Sequence, residues 1–215
     1  MLIGISGKMR SGKDTAGLML SWLLNKLRFN GYNLDALTYN EYEADEYMKA
    51  ISKKDIHKFA DSLRDCISAI IGLPRGYLET DAFKNNYWMY GYSGREWLQK
   101  VGQALRDAVP PDIWVDNTLS KYRLLQDQLF IITDVRYLNE FQSIKLNEGY
   151  VIRIIRNFDT GDHESETSLD DTEDWDAVIV NNSNLEHLFD ECKNFIASKL
   201  FPSIISMKNI YHKNS

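Results

Sequence analysis

Short apolar runs alternate with longer stretches of helical spacing along this chain. The runs at residues 2–6, 34–39, 57–60, 129–133, 150–155 and 177–180 have the length and near-continuous apolarity of buried parallel strands. Between them, 15–29, 62–71, 94–108, 112–122, 138–148 and 185–200 carry apolar residues at helical intervals. Alternation of strand and helix predicts an α/β fold, a three-layer parallel sheet with helices on both faces. The stretch 72–92, rich in tyrosine and mixed charge, reads as a mobile cap over a cleft. Residues 158–175 are polar and acidic without periodicity and read as a second mobile element, and the tail 202–215 carries no pattern.

The first run and the first helix are joined by Gly4-Ile5-Ser6-Gly7-Lys8-Met9-Arg10-Ser11-Gly12-Lys13-Asp14-Thr15. A glycine-rich turn between a strand and a helix lets successive backbone N–H groups converge on a phosphate, and the helix adds the positive end of its dipole. Gly7 and Gly12 permit the curl, and Lys13 is placed to reach the β- and γ-phosphates as a point charge. Asp14 stands where a hydroxyl usually holds Mg²⁺, with Thr15 one position later, so Asp14 is a candidate metal ligand.

The remaining composition narrows the function. A net charge of −6 over 215 residues argues against a broad basic face for polymeric nucleic acid, whereas a small phosphorylated ligand needs only a local basic cleft. Cys66 and Cys192 lack CxxC spacing and read as small buried side chains in a reducing compartment. His57, His163, His187 and His212 show no zinc spacing and adjoin no nucleophile motif. No apolar run spans a bilayer and no signal segment precedes the first strand, so the expected compartment is the cytoplasm, that of the host if the gene is phage-encoded.

Three further constellations carry candidate chemistry. The run ending Thr133-Asp134-Val135-Arg136 sets an acid and a base at a strand's carboxyl end, where parallel sheets bind ligands. Asp134 suits Mg²⁺ and Arg136 a phosphate clamp, or the two form a surface ion pair. In Lys58-Phe59-Ala60-Asp61-Ser62-Leu63-Arg64, Asp61 either caps the following helix or faces a ligand, and Arg64 is a candidate for an acceptor phosphate. Arg95, Gln99, Gly102 and Arg106 share one helical face, which is either solvated or a nucleotide contact.

Taken with Arg95-Glu96-Trp97-Leu98-Gln99-Lys100-Val101-Gly102, Tyr137-Leu138-Asn139-Glu140, His163-Glu164-Ser165-Glu166 and Val178-Ile179-Val180-Asn181-Asn182-Ser183-Asn184-Leu185, these motifs resemble the phage-type deoxynucleoside monophosphate kinases, relatives of the P-loop nucleoside monophosphate kinases. The resemblance covers about residues 2 to 198 in the family's order. It implies a single P-loop kinase domain over 1–200, with an acceptor-binding insertion at 61–122, a lid at 157–175 and a tail at 201–215. It implies transfer of the γ-phosphoryl group of ATP, with Mg²⁺, to a deoxynucleoside 5′-monophosphate.

Residue by residue, the resemblance implies that Gly7, Arg10, Ser11, Gly12, Lys13, Asp14 and Thr15 hold ATP. Arg153 and Arg156 would lie at the lid's base as candidate clamps on the transferring phosphate, and Asn181 to Asn184, Ser183 among them, would lie against the adenine. Asp61, Arg64, Arg95, Gln99 and Arg136 would meet the acceptor, and Asp14 and Asp134 the metal, with Lys13, Asp134 and Arg136 as the catalytic set. The chain departs from the family pattern at Ser62, usually proline, and at Gln103-Ala104, usually Thr-Glu. No membrane partner is expected, and a homodimer is left open. Kinases of the phosphomevalonate or dephospho-coenzyme A type, and a regulatory module that binds nucleotide without transferring phosphate, are the alternatives.

Overall fold

The run Leu2–Ser6 is buried at every position and forms β1, the middle strand of a five-stranded sheet. The computed structural model describes residues 1–31, 33–110, 112–125, 128–157 and 168–201. Beside β1 lie β5 (Phe130–Val135) and β6 (Tyr150–Ile155), and the edges are β7 (Ala177–Val180) and the short β2 (Ile56–His57), in the order β2-β5-β1-β6-β7. The pairings of β1 with β5, β1 with β6 and β6 with β7 are all parallel. The fold is α/β, as the alternation of strand and helix predicts.

Alternate strand residues divide between the two faces of the sheet. Ile3, Ile5, Ile131, Ile152, Ile154 and Ile179 pack with Met19, Leu20 and Leu23 of α1 (Lys13–Asn30) and with Leu188, Phe189 and Cys192 of α8 (Leu185–Phe195). On the other face, α7 (Leu138–Leu146) brings Ile144 against Gly4 so closely that a Cβ there would overlap it. Full burial of each such aliphatic side chain contributes about 1.5–3 kcal/mol, which fixes the strand register beneath the loops.

The expected strand at 34–39 is not formed. Leu34–Ala36 is a 3₁₀ turn whose preceding Asn33 side chain accepts from Asp35 N, and Thr38 with Glu41 forms a capping box that starts α2 (Tyr39–Ala44). Capping residues override a short apolar run because they satisfy the helix's unpaired N–H groups locally. A further helix, α3 (Glu46–Ser52), follows and was not legible as a periodic stretch.

The chain divides into two compact units, Met1–Ile56 with Gln128–Ser215, and His57–Asp127. The second contains α4 (Asp61–Ile71), the hairpin β3 (Trp88–Met89) and β4 (Tyr92–Ser93), α5 (Gly94–Ala108) and α6 (Ile113–Leu124). Its core is Leu63, Ile67, Leu78, Phe83 and Trp114, packed with Leu98, Val101 and Leu105 of α5. Within the stretch 72–92, Leu78 and Phe83 are fully buried and anchor it in this core.

Cys192 is buried as expected, whereas Cys66 is exposed on α4, whose inward positions are taken by Leu63 and Ile67. Among the described residues no helix is long and apolar enough to cross a membrane. The lid motif His163 to Glu166 and the tail 202–215 lie outside the described residues.

Candidate active site

Strand order locates the first candidate. From β1 the chain passes through α1 toward β2 on one side of the sheet, while β6 is followed by β7 on the other, so β1 and β6 flank a topological switch point. The loop Gly7 to Gly12 leaves the carboxyl end of β1 at this point, and Arg153 and Arg156 leave β6 beside it.

The loop's backbone explains its glycines. Gly12 has φ 101°, a left-handed conformation that L side chains rarely adopt, and a Cβ there would strike the Asn181 amide. Gly7 admits no Cβ either, since one would lie 2.7 Å from the Ile154 carbonyl and collide with Ser11 Oγ. Arg10 is also left-handed, at φ 67°. Ser11 N closes a turn onto Lys8 O at 3.2 Å, and Asn181 Nδ2 donates to Ser11 O at 2.8 Å.

Charged and polar groups gather around this turn. Lys13, only 9% exposed, donates from Nζ to Lys8 O at 3.0 Å. Ser11 Oγ is buried and has no hydrogen-bond partner among the described residues. Arg156 donates to Arg10 O at 3.4 Å. Arg153 donates to Ser6 Oγ at 3.1 Å and to Asp170 Oδ1 at 2.6 Å, and Asp170 also pairs with Lys8 at 3.5 Å. Thr15 is half-buried in the first turn of α1, and Ser183 is exposed beyond β7.

The acids at the loop are set by an irregularity in the sheet. Gly4 pairs with Ile132 but Ser6 with Val135, so β5 carries one extra residue opposite β1. Such a bulge re-aims side chains at the end of a strand. Asp134 is 8% exposed, and Thr133, fully buried, donates from Oγ1 to Asp14 Oδ1 at 2.6 Å. That bond ties the start of α1 to β5. Arg136 follows half-buried, its backbone N donating to Glu140 Oε2 at 2.7 Å, and its carbonyl accepts from Ser168 Oγ at 2.6 Å.

The acceptor candidates lie in the second unit. Asp61 does not cap α4, whose N-cap is Ala60 without a side-chain bond: one carboxylate oxygen accepts from Lys58 N at 2.9 Å and the other from Arg75 NH2 at 2.8 Å. Arg64 has a side chain 14% exposed, yet its Nε and one terminal nitrogen are buried without a hydrogen-bond partner among the described residues. Its nearest carboxylates, Asp61 and Glu79, stand 3.6 and 3.7 Å away, so Arg64 is ion-paired while these N–H donors make no hydrogen bond. Arg95 and Gln99 stand on the exposed side of α5.

One sequence expectation in this unit changes. Gly102 does not share the exposed face of Arg95 and Gln99: it is buried where a Cβ would lie 3.0 Å from Leu63, so its smallness serves the packing of α4 on α5. Gln103, where the family pattern has threonine, donates to Asp107 on the same helix at 3.0 Å. Ser62 has its own use, donating to Asn117 of α6 at 2.5 Å, a link proline could not make.

Thr133, Glu140, Asp170 and Arg75 were not picked out as site residues in the sequence. Glu140 was readable, since an acid three residues after Tyr137 suits a helix start. The others depend on partners remote in the chain.

Among the described residues no group of three or more His, Cys, Asp or Glu side chains could hold a metal alone. Magnesium bound with a nucleotide takes one or two carboxylates and completes its shell with phosphate and water, so Asp14 and Asp134 fit it.

No family model matches the chain. The chain is 28% identical over 209 residues to a protein of Acanthamoeba polyphaga mimivirus named "Putative deoxynucleotide monophosphate kinase", with 89% of this chain and 93% of that protein covered.

Proposed function

We propose that the protein transfers the γ-phosphoryl group of ATP to the 5′-phosphate of a deoxynucleoside monophosphate, giving ADP and a deoxynucleoside diphosphate. The observation that carries this reading is the phosphate loop at the switch point, with the orphaned Ser11 hydroxyl inside it and the buried Lys13 at its end. The second, independent anion site at Arg64 supports transfer over mere nucleotide binding, because a sensor of ATP needs no acceptor. The similarity to the mimivirus protein supports a kinase acting on nucleotides.

In this reading the loop backbone from Gly7 to Thr15 cradles the phosphates of ATP, with Arg10 and Arg156 beside them and Asn181 and Ser183 toward the adenine. Asn181 contributes by fixing the Ser11 carbonyl, which holds the loop's curl. Asp14 and Asp134 would hold magnesium, which supplies neutralisation of the β- and γ-oxygens when bound. Lys13 and Arg136 neutralise the transferring group, while Asp61, Arg64, Arg95 and Gln99 bind the acceptor.

The chemistry asks little else of the protein. A monophosphate ester has a second pKa near ~6, so the acceptor is mostly a dianion at neutral pH and needs no general base. Alignment of two polyanions that repel each other is the principal task, and the arginines and Lys13 perform it.

The test is ADP formation from ATP and Mg²⁺ with dAMP, dGMP, dCMP, dTMP, hydroxymethyl-dCMP and the matching ribonucleotides. We expect turnover with a subset of the deoxynucleotides and a loss of at least about 100-fold in Lys13→Ala with its fold unchanged. Activity of Lys13→Ala near the parent level would remove the loop from the mechanism. Turnover confined to a phosphorylated acceptor that is not a nucleotide would overturn the substrate assignment.

A further inference from the structure

Two guanidinium groups in the second unit address the same pair of carboxylates, and they do so unequally. Arg75 donates from Nε to Asp65 Oδ1 at 2.9 Å, from NH1 to Glu79 Oε1 at 2.7 Å and from NH2 to Asp61 Oδ1 at 2.8 Å. Arg64 lies 3.6 Å from that same Asp61 oxygen and 3.7 Å from that same Glu79 oxygen. Those separations exceed hydrogen-bond range, and Nε and NH1 of Arg64 are buried without a hydrogen-bond partner among the described residues.

Ordinary electrostatics would favour collapse. Asp61 and Arg64 sit three residues apart on α4, a spacing that commonly forms an ion pair, and Glu79 is near enough to accept from Arg64 Nε with a small shift. Arg75 prevents this by taking both oxygens in shorter, aligned bonds. Burial pushes the Glu79 carboxyl up, but the Arg75 hydrogen bond and the charges of Arg64, Arg75 and Lys58 outweigh it and hold it below its ordinary value. Lys84 also meets Glu79, donating to its carbonyl at 2.5 Å and lying 4.0 Å from its Oε2.

We propose that Arg75 is a positioning residue that keeps Asp61 and Glu79 off Arg64, so that the Arg64 N–H donors remain open to the dianionic phosphate of the acceptor. The proposal rests on the reading of Arg64 as the acceptor-phosphate ligand, and it assigns a role to a residue that touches no substrate. A guanidinium is suited to this task because one planar fork can satisfy three carboxylates at once, which lysine cannot do with the same geometry.

The test separates this role from a merely structural one by measuring anion affinity in a mutant cycle. Calorimetry with a deoxynucleoside monophosphate and with inorganic phosphate is run on the wild type, Arg75→Ala, Glu79→Gln and the double variant. Arg75→Ala should weaken both ligands by roughly 10-fold and leave ATP affinity unchanged, because the two carboxylates turn to Arg64. Adding Glu79→Gln should recover much of that loss, since one competing carboxylate has gone. Glu79→Gln alone should bind the anions at least as well as the wild type.

If Arg75 only braced the fold, the second substitution would deepen the defect, and Glu79→Gln alone would weaken binding; either result overturns the proposal. Should Arg75→Ala fail to fold, the Glu79→Gln variant decides the matter by itself. Phosphate affinity that follows the predicted cycle without any phosphoryl transfer would overturn the kinase reading and uphold the role of Arg75. Wild-type protein that binds neither anion would overturn the proposal.

Discussion

At the scale of single residues, the glycine loop concentrates left-handed backbone at Arg10 and Gly12 around the buried Ser11 hydroxyl. Tyr90 makes a useful contrast. It sits at the tip of the β3–β4 hairpin with φ 53°, followed by Gly91 at φ 82°, and its side chain is 83% exposed. Left-handed geometry costs a residue with a Cβ about 1–2 kcal/mol, and glycine escapes that cost while losing more entropy on folding. Tyr90→Gly should therefore raise stability by about 0.5–1 kcal/mol in urea unfolding, and a loss would show that its ring contact with Trp97 outweighs the strain.

Glu79 carries the residue-scale prediction for pH. Its folded-state carboxyl titrates below its ordinary value of 4.5, so the stability it contributes is complete above that value and is lost as pH falls through the lower folded value. Urea midpoints should fall more steeply below about pH 4.5 in the wild type than in Glu79→Gln. Parallel curves would mean that the Arg75 pairing contributes nothing to folding. Spacing places Lys13 at the end of the glycine turn and Asp134 at the carboxyl end of a strand, and both stand there in the fold. Arg75 was not legible in this way, because its meaning comes from carboxylates at positions 61, 65 and 79 that only the folded unit gathers around it.

At the scale of elements, the bulge at the end of β5 joins that strand to the start of α1, just beyond the glycine loop. It turns Thr133 toward α1 and leaves Asp134 buried at the carboxyl end of the strand. Thr133→Val keeps the shape of the side chain and removes only the bond to Asp14. Unfolding should become easier by about 1 kcal/mol, with the Michaelis constant for ATP rising more than that for the acceptor. Unchanged stability and kinetics would deny the bond any part in setting the loop. Apolar periodicity revealed β1, β6, β7 and α5 because burial on a fixed face dictates it. It could not reveal the bulge, which adds a residue without disturbing the apolar run, and it misread 34–39, where caps at Asn33 and Thr38 prevail over apolar content.

At the scale of the whole molecule, a parallel sheet whose connections diverge at β1 and β6 carries the glycine loop Gly7 to Gly12, and a separate compact unit holds Arg64 with buried nitrogens that make no hydrogen bond among the described residues. The order of elements made the α/β class legible, because each βα step has few ways to pack. The compact core within 57–127 was harder to read, since Leu78 and Phe83 lie in short irregular turns with no period. The central claim is that phosphate passes from ATP to a deoxynucleotide. Phosphorus NMR of ATP, Mg²⁺ and a deoxynucleoside monophosphate with the protein tests it most directly. The account predicts loss of the ATP γ signal in step with a new β-phosphorus signal of the deoxynucleoside diphosphate, absent with Lys13→Ala. A γ signal that persists with every deoxynucleotide, or that passes to inorganic phosphate while the monophosphate stays intact, would contradict it.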